Sequence, residues 1–190
     1  MEKYSCLSLR LNYAIWIALC FFSLGAYGER GGGGRGGPFI SLHTSPMSDF
    51  DPDISGAPVV IGGIGFGSST KTFRIGGGGG GGFLFNPTEN VHFGLGYGGG
   101  VGEYQLTSWL FARLMIGGGG YALAKTVLET ESQRVLRKLS SGGFVLFYPQ
   151  LSAEIPIARS IKLAVIAGYF LPNVSRLQSF TVAANFVFGG

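Results

Sequence analysis

Charge is what this 190-residue chain has least of. Only 13% of its residues are charged, against about 25% in an average soluble domain. A surface so poor in charge is weakly solvated in water and comfortable in lipid. The formal net charge of +4 is small and scattered, which gives no case for nucleic acid. Cysteine is nearly missing too: both, Cys6 and Cys20, lie in the first 20 residues. Beyond residue 28 there is no thiol for a disulfide framework or a thiolate metal site. Beyond that point there is also no apolar run of the ~20 residues a spanning helix needs. If the rest of the chain crosses a membrane, it must cross as a closed barrel of strands. Histidine is limited to His43 and His92, a thin inventory for acid–base chemistry.

What is abundant is glycine, 35 residues against an average near 7%, with 16 Phe and 8 Tyr. The first 28 residues read as an export signal: Lys3 and Arg10 at the start, a short apolar core over 14–25, and Ala26-Tyr27-Gly28 as a cleavage site. An uncleaved anchor would need a longer apolar core, and a lipoprotein would need a small residue where Leu19 precedes Cys20. Residues 29–37 are a low-complexity Gly-rich linker, and 38–190 form the folded part.

Residues 70–103 organise that part. Phe73, Ile75, Phe83 and Phe85 alternate on one face of a first strand, and Val91, Phe93, Leu95, Tyr97 and Val101 on one face of a second. Alternation of period two is the mark of a strand. Asn86-Pro87-Thr88-Glu89-Asn90 between them is a turn. A turn centred on Thr88 pairs residues whose numbers sum to about 176, so Gly78 and Gly80 would share a face with Gly94, Gly96 and Gly98, and Gly117 would join them. This reading gives a glycine-lined recess on the inner face, with Arg74, His92 and Lys162 as polar residues facing the lumen. The apolar face of both strands, odd-numbered over 73–101, would then contact acyl chains.

Six more strands follow from the same alternation: 38–43, 59–67, 108 onward, 143–154, 161–171 and 177–188, with Pro156 and Pro172-Asn173 marking turns. Residues 122–140 fit either an amphipathic helix or a hairpin projecting beyond the barrel and turning at Thr130-Glu131-Ser132; the hairpin is favoured. The expected fold is therefore all-β, an antiparallel up-and-down transmembrane barrel of about eight strands. Thirteen residues from Phe73 to Phe85, at ~3.3 Å per step and a tilt of ~45°, rise roughly 28 Å, near the ~25 Å apolar band of such barrels. A soluble sandwich would bury the same apolar face but would need a polar opposite face, which is mostly Gly and Ala here.

Other motifs lead nowhere. Gly-x-Gly spacings over 62–67 and 94–100 precede no helix that could present its N-terminus to a phosphate. Asp49, Asp51 and Asp53 alternate as in a calcium loop, but Ile54 and Val60 stand where that loop needs Gly and Glu. Glu103 and Glu154 are carboxylates without a partner base: His92 and Glu103 sit at opposite ends of one strand, about 36 Å apart at ~3.3 Å per residue. His92 with Ser41 or Ser141 matches no catalytic motif. No cofactor and no metal site is expected.

The last strand carries a resemblance. Phe180, Val182, Ala184, Phe186 and Phe188 alternate with Thr181, Ala183, Asn185 and Val187. This looks like the final strand of bacterial outer-membrane barrels, and with the export signal and strand count the chain resembles the small OmpA/OmpX-like class. The resemblance implies residence in the bacterial outer membrane, contact with its lipid, and delivery through the barrel-assembly machinery by the 180–188 strand; the thin inventory of imidazoles and carboxylates argues against an enzyme. It leaves a structural or surface-interaction role, with residues 122–140 as the contact for a partner. A narrow pore or lipid-binding barrel using the glycine-lined interior, a lipid-modifying enzyme, and a soluble secreted β-protein remain the alternatives.

Overall fold

The computed structural model describes residues 34–44, 56–68, 70, 72–86, 91–130 and 133–189. The expected export signal, the acidic loop around Asp49–Asp53 and the turn residues 87–90 lie outside the described residues. Eight antiparallel strands close into one barrel, each paired with its sequence neighbour: β1 (Arg35–His43), β2 (Val59–Ser68), β3 (Phe73–Asn86), β4 (Val91–Gln105), β5 (Leu110–Thr130), β6 (Gln133–Ala158), β7 (Ile161–Pro172) and β8 (Ser179–Phe188). β1 pairs with β8 and leaves no sheet edge around the wall. β1 begins at Arg35, three residues before Pro38, because Arg35 already pairs across to Phe66. Pro156 lies within β6 at a bulge, and the β6–β7 turn is Arg159-Ser160 instead.

One end of the barrel has short connections: four residues separate β2 from β3 and β4 from β5, and two separate β6 from β7. Both β1's start and β8's end lie there. At the other end β5 and β6 continue well past their outer neighbours, as the projecting hairpin requires; a helix over 122–140 is not formed.

Facing is decided by register. β3 and β4 pair with residue numbers summing to 177, as in Gly80↔Tyr97 and Gly79↔Gly98, not 176. Because side chains alternate, a shift of one residue turns a strand's whole set to the other face. The odd residues of β3 do point outward: Ile75 is 57% and Phe83 65% exposed. The odd residues of β4 point into the barrel: Phe93 and Val101 are each 2% exposed. The expected single apolar outer face of this hairpin is therefore split between the two walls.

The reason is steric. The inward residues of β3 between Arg74 and Leu84 are Gly76, Gly78, Gly80 and Gly82, and this bare wall accepts the large side chains of its neighbours. A Cβ built at Gly80 would stand 2.7 Å from Val60 Cγ1 and 3.3 Å from Phe39, and one at Gly82 2.5 Å from Val60 Cγ2. On β5, Gly119 makes room in the same way for the Phe144 ring, 2.6 Å from its notional Cβ. Small barrels fill their interiors with side chains, and here glycine on one side lets rings lie on the other. Four outward glycines are under no such pressure: Gly65, Gly94, Gly96 and Gly100 have no atom within 4 Å of a notional Cβ.

The outer wall otherwise carries Ile40, Leu42, Ile61, Val145, Phe147, Leu151, Ile155, Phe180, Val182 and Phe186, all strongly exposed. No second sheet and no helix covers them among the described residues. The protein is apolar outside and mixed inside, the reverse of a water-soluble sandwich.

Leucine at Gly80 should overpack the interior at a cost of about 1–3 kcal/mol and reduce the folded, fast-migrating band in unboiled gels. Leucine at Gly96 should leave that band intact. Equal effects of the two substitutions would contradict the register.

Candidate functional site

Inside the barrel two layers are stacked along the axis. The middle layer is aromatic. Phe170 on β7 is its hub, with ring centroids of Tyr97 at 5.1 Å, Tyr148 at 5.5 Å, Phe144 at 5.9 Å and His43 at 5.1 Å, the last three edge-on. Edge-to-face contact sets the positive rim of one ring against the negative face of another. Tyr148 Oη lies 2.7 Å from Thr181 Oγ1, and His43 Nδ1 3.3 Å from Ser179 Oγ. A cavity of about 20 Å³ lined by Phe39, Ile64, Tyr97, Met115, Tyr148 and Gln150 has room for about one water-sized group.

The second layer, toward the short-turn end, is ionic. Arg35 from β1 donates through Nη2 to Glu103 Oε2 at 2.7 Å and through Nη1 to Glu154 Oε2 at 2.9 Å, and it also pairs with Glu154 Oε1. Arg113 Nε donates to the same Glu103 Oε2 at 2.7 Å, and its Nη2 lies 3.6 Å from Glu154 Oε1. These four side chains are sealed from solvent. They come from β1, β4, β5 and β6, so the pairs of Arg35 span the lumen between strands that are not neighbours. Nearer the mouth Arg74 Nη1 donates to Glu103 Oε1 at 2.9 Å, and Lys162 Nζ lies 3.6 Å from Glu154 Oε2. Rings close the layer: Arg35 Cζ stands 4.3 Å from the Phe111 centroid and Arg113 Cζ 5.3 Å from that of Phe66. Charges this deep survive because each is paired and charge-assisted hydrogen bonds replace water.

Arg74 and Lys162 reach into the lumen to join this layer. His92 does not. It lies on the outer face of β4, its Nε2 3.1 Å from Thr126 Oγ1, while Ser41 lies buried inside. The glycine recess also divides. Gly78, Gly80 and Gly117 are inward, whereas Gly94, Gly96 and Gly98 are on the outer wall. Gly117 pairs with Gly99 and Gly94 with Ala122. The inward group is no empty recess, since rings and aliphatic side chains fill it. Sequence reading missed Arg35, taken as linker, and Arg113, and it treated Glu103 and Glu154 only as isolated acids. The available signal was their position: in strands so poor in charge, a charged residue near a strand end belongs to the lumen.

Replacing Glu103 by Gln leaves Arg35 and Arg113 buried without the carboxylate charge they share, and should cost about 3–5 kcal/mol in urea unfolding of the refolded barrel. Lys162→Gln, at the partly open mouth, should cost under about 1 kcal/mol. A near-equal loss would show that the layer does not brace the lumen.

No family model matches the chain, and no curated protein matches it. Among solved structures, the Ail attachment invasion locus protein of Yersinia pestis, crystallised with the heparin analogue sucrose octasulfate, is similar at 11% identity. That match has a TM-score of 0.50 and covers 83% of this chain and 97% of that one. Neisserial surface protein A is similar at 8% identity with a TM-score of 0.50, covering 86% of this chain and 99% of that one. At these identities the likeness is one of fold. The chain has the fold of the small eight-stranded outer-membrane β-barrels.

Proposed function

We propose that this protein is a non-conducting, non-enzymatic barrel of the bacterial outer membrane that holds the β5–β6 hairpin out from the lipid to contact an external polyanionic partner. The observation that carries this reading is the length of those two strands. β5 is last paired to β4 at Val91↔Lys125, and β6 to β7 at Leu146↔Pro172. Among the described residues, 126–130 and 133–136 therefore pair only with each other. The β6 edge over 133–145, about 43 Å of strand at ~3.3 Å per residue, takes no β7 partner. Among the described residues its backbone meets the end of β7 only through Val145 and Asn173. An unpaired strand edge is an interaction surface by nature.

Chemistry favours an anionic partner. Lys125, Arg134, Arg137 and Lys138 stand against Glu129 and Glu131 on this hairpin, four cations less two acids. That Ail was crystallised with a heparin analogue supports the same choice. Residence in lipid is supported by the exposed apolar outer wall, to which the strand 180–188 contributes Phe180, Val182, Phe186 and Phe188. Delivery by the assembly machinery through this strand, after removal of an export signal at 1–28, belongs to the same proposal.

The layered interior argues against a pore: the aromatic hub and the sealed ionic layer both lie across the lumen. Among the described residues, acid–base chemistry in the lumen lacks a free carboxylate, since Glu103 and Glu154 are each held by cations, and His92 stands on the opposite wall face.

Refolded protein should bind sucrose octasulfate in a calorimeter, and Lys125→Gln with Lys138→Gln should weaken it at least about tenfold while the heat-modifiable gel shift persists. Planar bilayers should show no discrete conductance steps. Unchanged binding in the double variant would remove the hairpin from the proposal, and stable channels would overturn the closed lumen.

A further inference from the structure

The ionic layer holds more positive than negative charge. Arg35, Arg74, Arg113 and Lys162 share Glu103 and Glu154, so four less two leaves a surplus of two cations. Among the described residues no other carboxylate faces the lumen at this end. The surplus is also visible atom by atom. Arg113 Nη1 and Arg35 Nε are sealed from solvent with no acceptor among the described residues, and Arg113 Nη2 has only Glu154, beyond hydrogen-bond reach. The buried hydroxyl of Ser152, two residues before Glu154 on the same face, is unpartnered as well. A charged donor buried without an acceptor is costly.

Arg74 and Lys162 lie on β3 and β7, opposite walls of the barrel, and reach inward from a mouth that leaves them 17% and 34% exposed. The open side of the layer is therefore lined by cations, and its inner side offers unused guanidinium N–H groups. Water would satisfy the donors but not the surplus charge. An anion satisfies both.

We propose that the short-turn mouth of the barrel binds one small free anion, an inorganic oxyanion or halide, held by Arg113 and Arg35 from within and by Arg74 and Lys162 from the mouth. A lipid headgroup offers the same charge, but its acyl tails could not follow it through a closed ring of eight strands. The bound anion completes the neutralisation of the layer and stabilises the barrel against unfolding by mass action. It is independent of the outer hairpin, which lies at the other end.

The test uses the refolded full barrel in detergent at constant ionic strength, with sodium methanesulfonate exchanged for sodium phosphate or bromide. The unfolding midpoint should rise and saturate with phosphate or bromide. Arg74→Gln with Lys162→Gln should raise the half-saturating concentration at least about tenfold, while the Lys125→Gln, Lys138→Gln protein behaves as wild type. Crystals grown in bromide should show an anomalous peak within hydrogen-bond reach of Arg113. A midpoint that changes linearly without saturation, or a saturable response unchanged in the mouth variant, would overturn the proposal. If the mouth variant does not refold, the wild-type titration and the bromide peak decide alone, and absence of both rejects the site.

Discussion

The constraint on which the rest of this structure depends is the fit of rings against bare backbone across a narrow lumen. β3 brings Gly76, Gly78, Gly80 and Gly82 to the inner wall, and β1, β2, β4, β6 and β7 bring Phe39, Val60, Tyr97, Phe144 and Phe170. In a barrel of eight strands there is no room for large side chains on every wall. Glycine on one arc and aromatics on the others solves the volume problem, and it selects the pairing that sums to 177. The pairing then dictates everything outside: whatever β4 spends inside on Val91, Phe93, Leu95 and Tyr97 it cannot show outside, so its outer face is glycine.

The ionic layer works within the same enclosure. Packing complementarity holds neighbouring walls, whereas Arg35 ties β1 to β4 and β6 across the axis. A buried ion network contributes less net stability than its distances suggest, because desolvation offsets most of the attraction. Its stronger effect is on geometry: two carboxylates meeting arginines from three strands fix the relative height of those strands. It also closes the lumen with charge just where the aromatic layer stops closing it with bulk. Among the described residues, the outer hairpin is left as the largest part that the barrel does not itself employ.

Much of this was legible in the chain. Strand number, meander order, the projecting hairpin and the apolar outward face of β3 and β8 follow from period-two alternation and from turn residues. Facing within β4 was not, and the reason is particular. A strand reading Val-His-Phe-Gly-Leu-Gly-Tyr-Gly has one large and one bare face, and alternation alone says nothing about which face is inside. The tie is broken by β3, whose Phe73, Ile75 and Phe83 must share an outer wall with β4's glycines once Gly80 opposes Tyr97. That single-residue choice displaced His92, Gly94, Gly96 and Gly98 from the lumen. Arg113 and Arg35 escaped notice for a different reason: their chemistry appears only when four strands distant in sequence are brought around one axis.

Facing on β4 is also where the account is most directly exposed to measurement. On a background with Cys6 and Cys20 replaced, single cysteines at positions 81, 96 and 100 and at 93 and 95 can carry nitroxide labels in lipid bilayers. Accessibility to molecular oxygen, which concentrates in the acyl region, should be high at 81, 96 and 100 and low at 93 and 95. High accessibility at 93 and 95 with low values at 96 and 100 would mean that β4 is turned the other way, and neither the ring-filled lumen nor the outer glycine wall would stand.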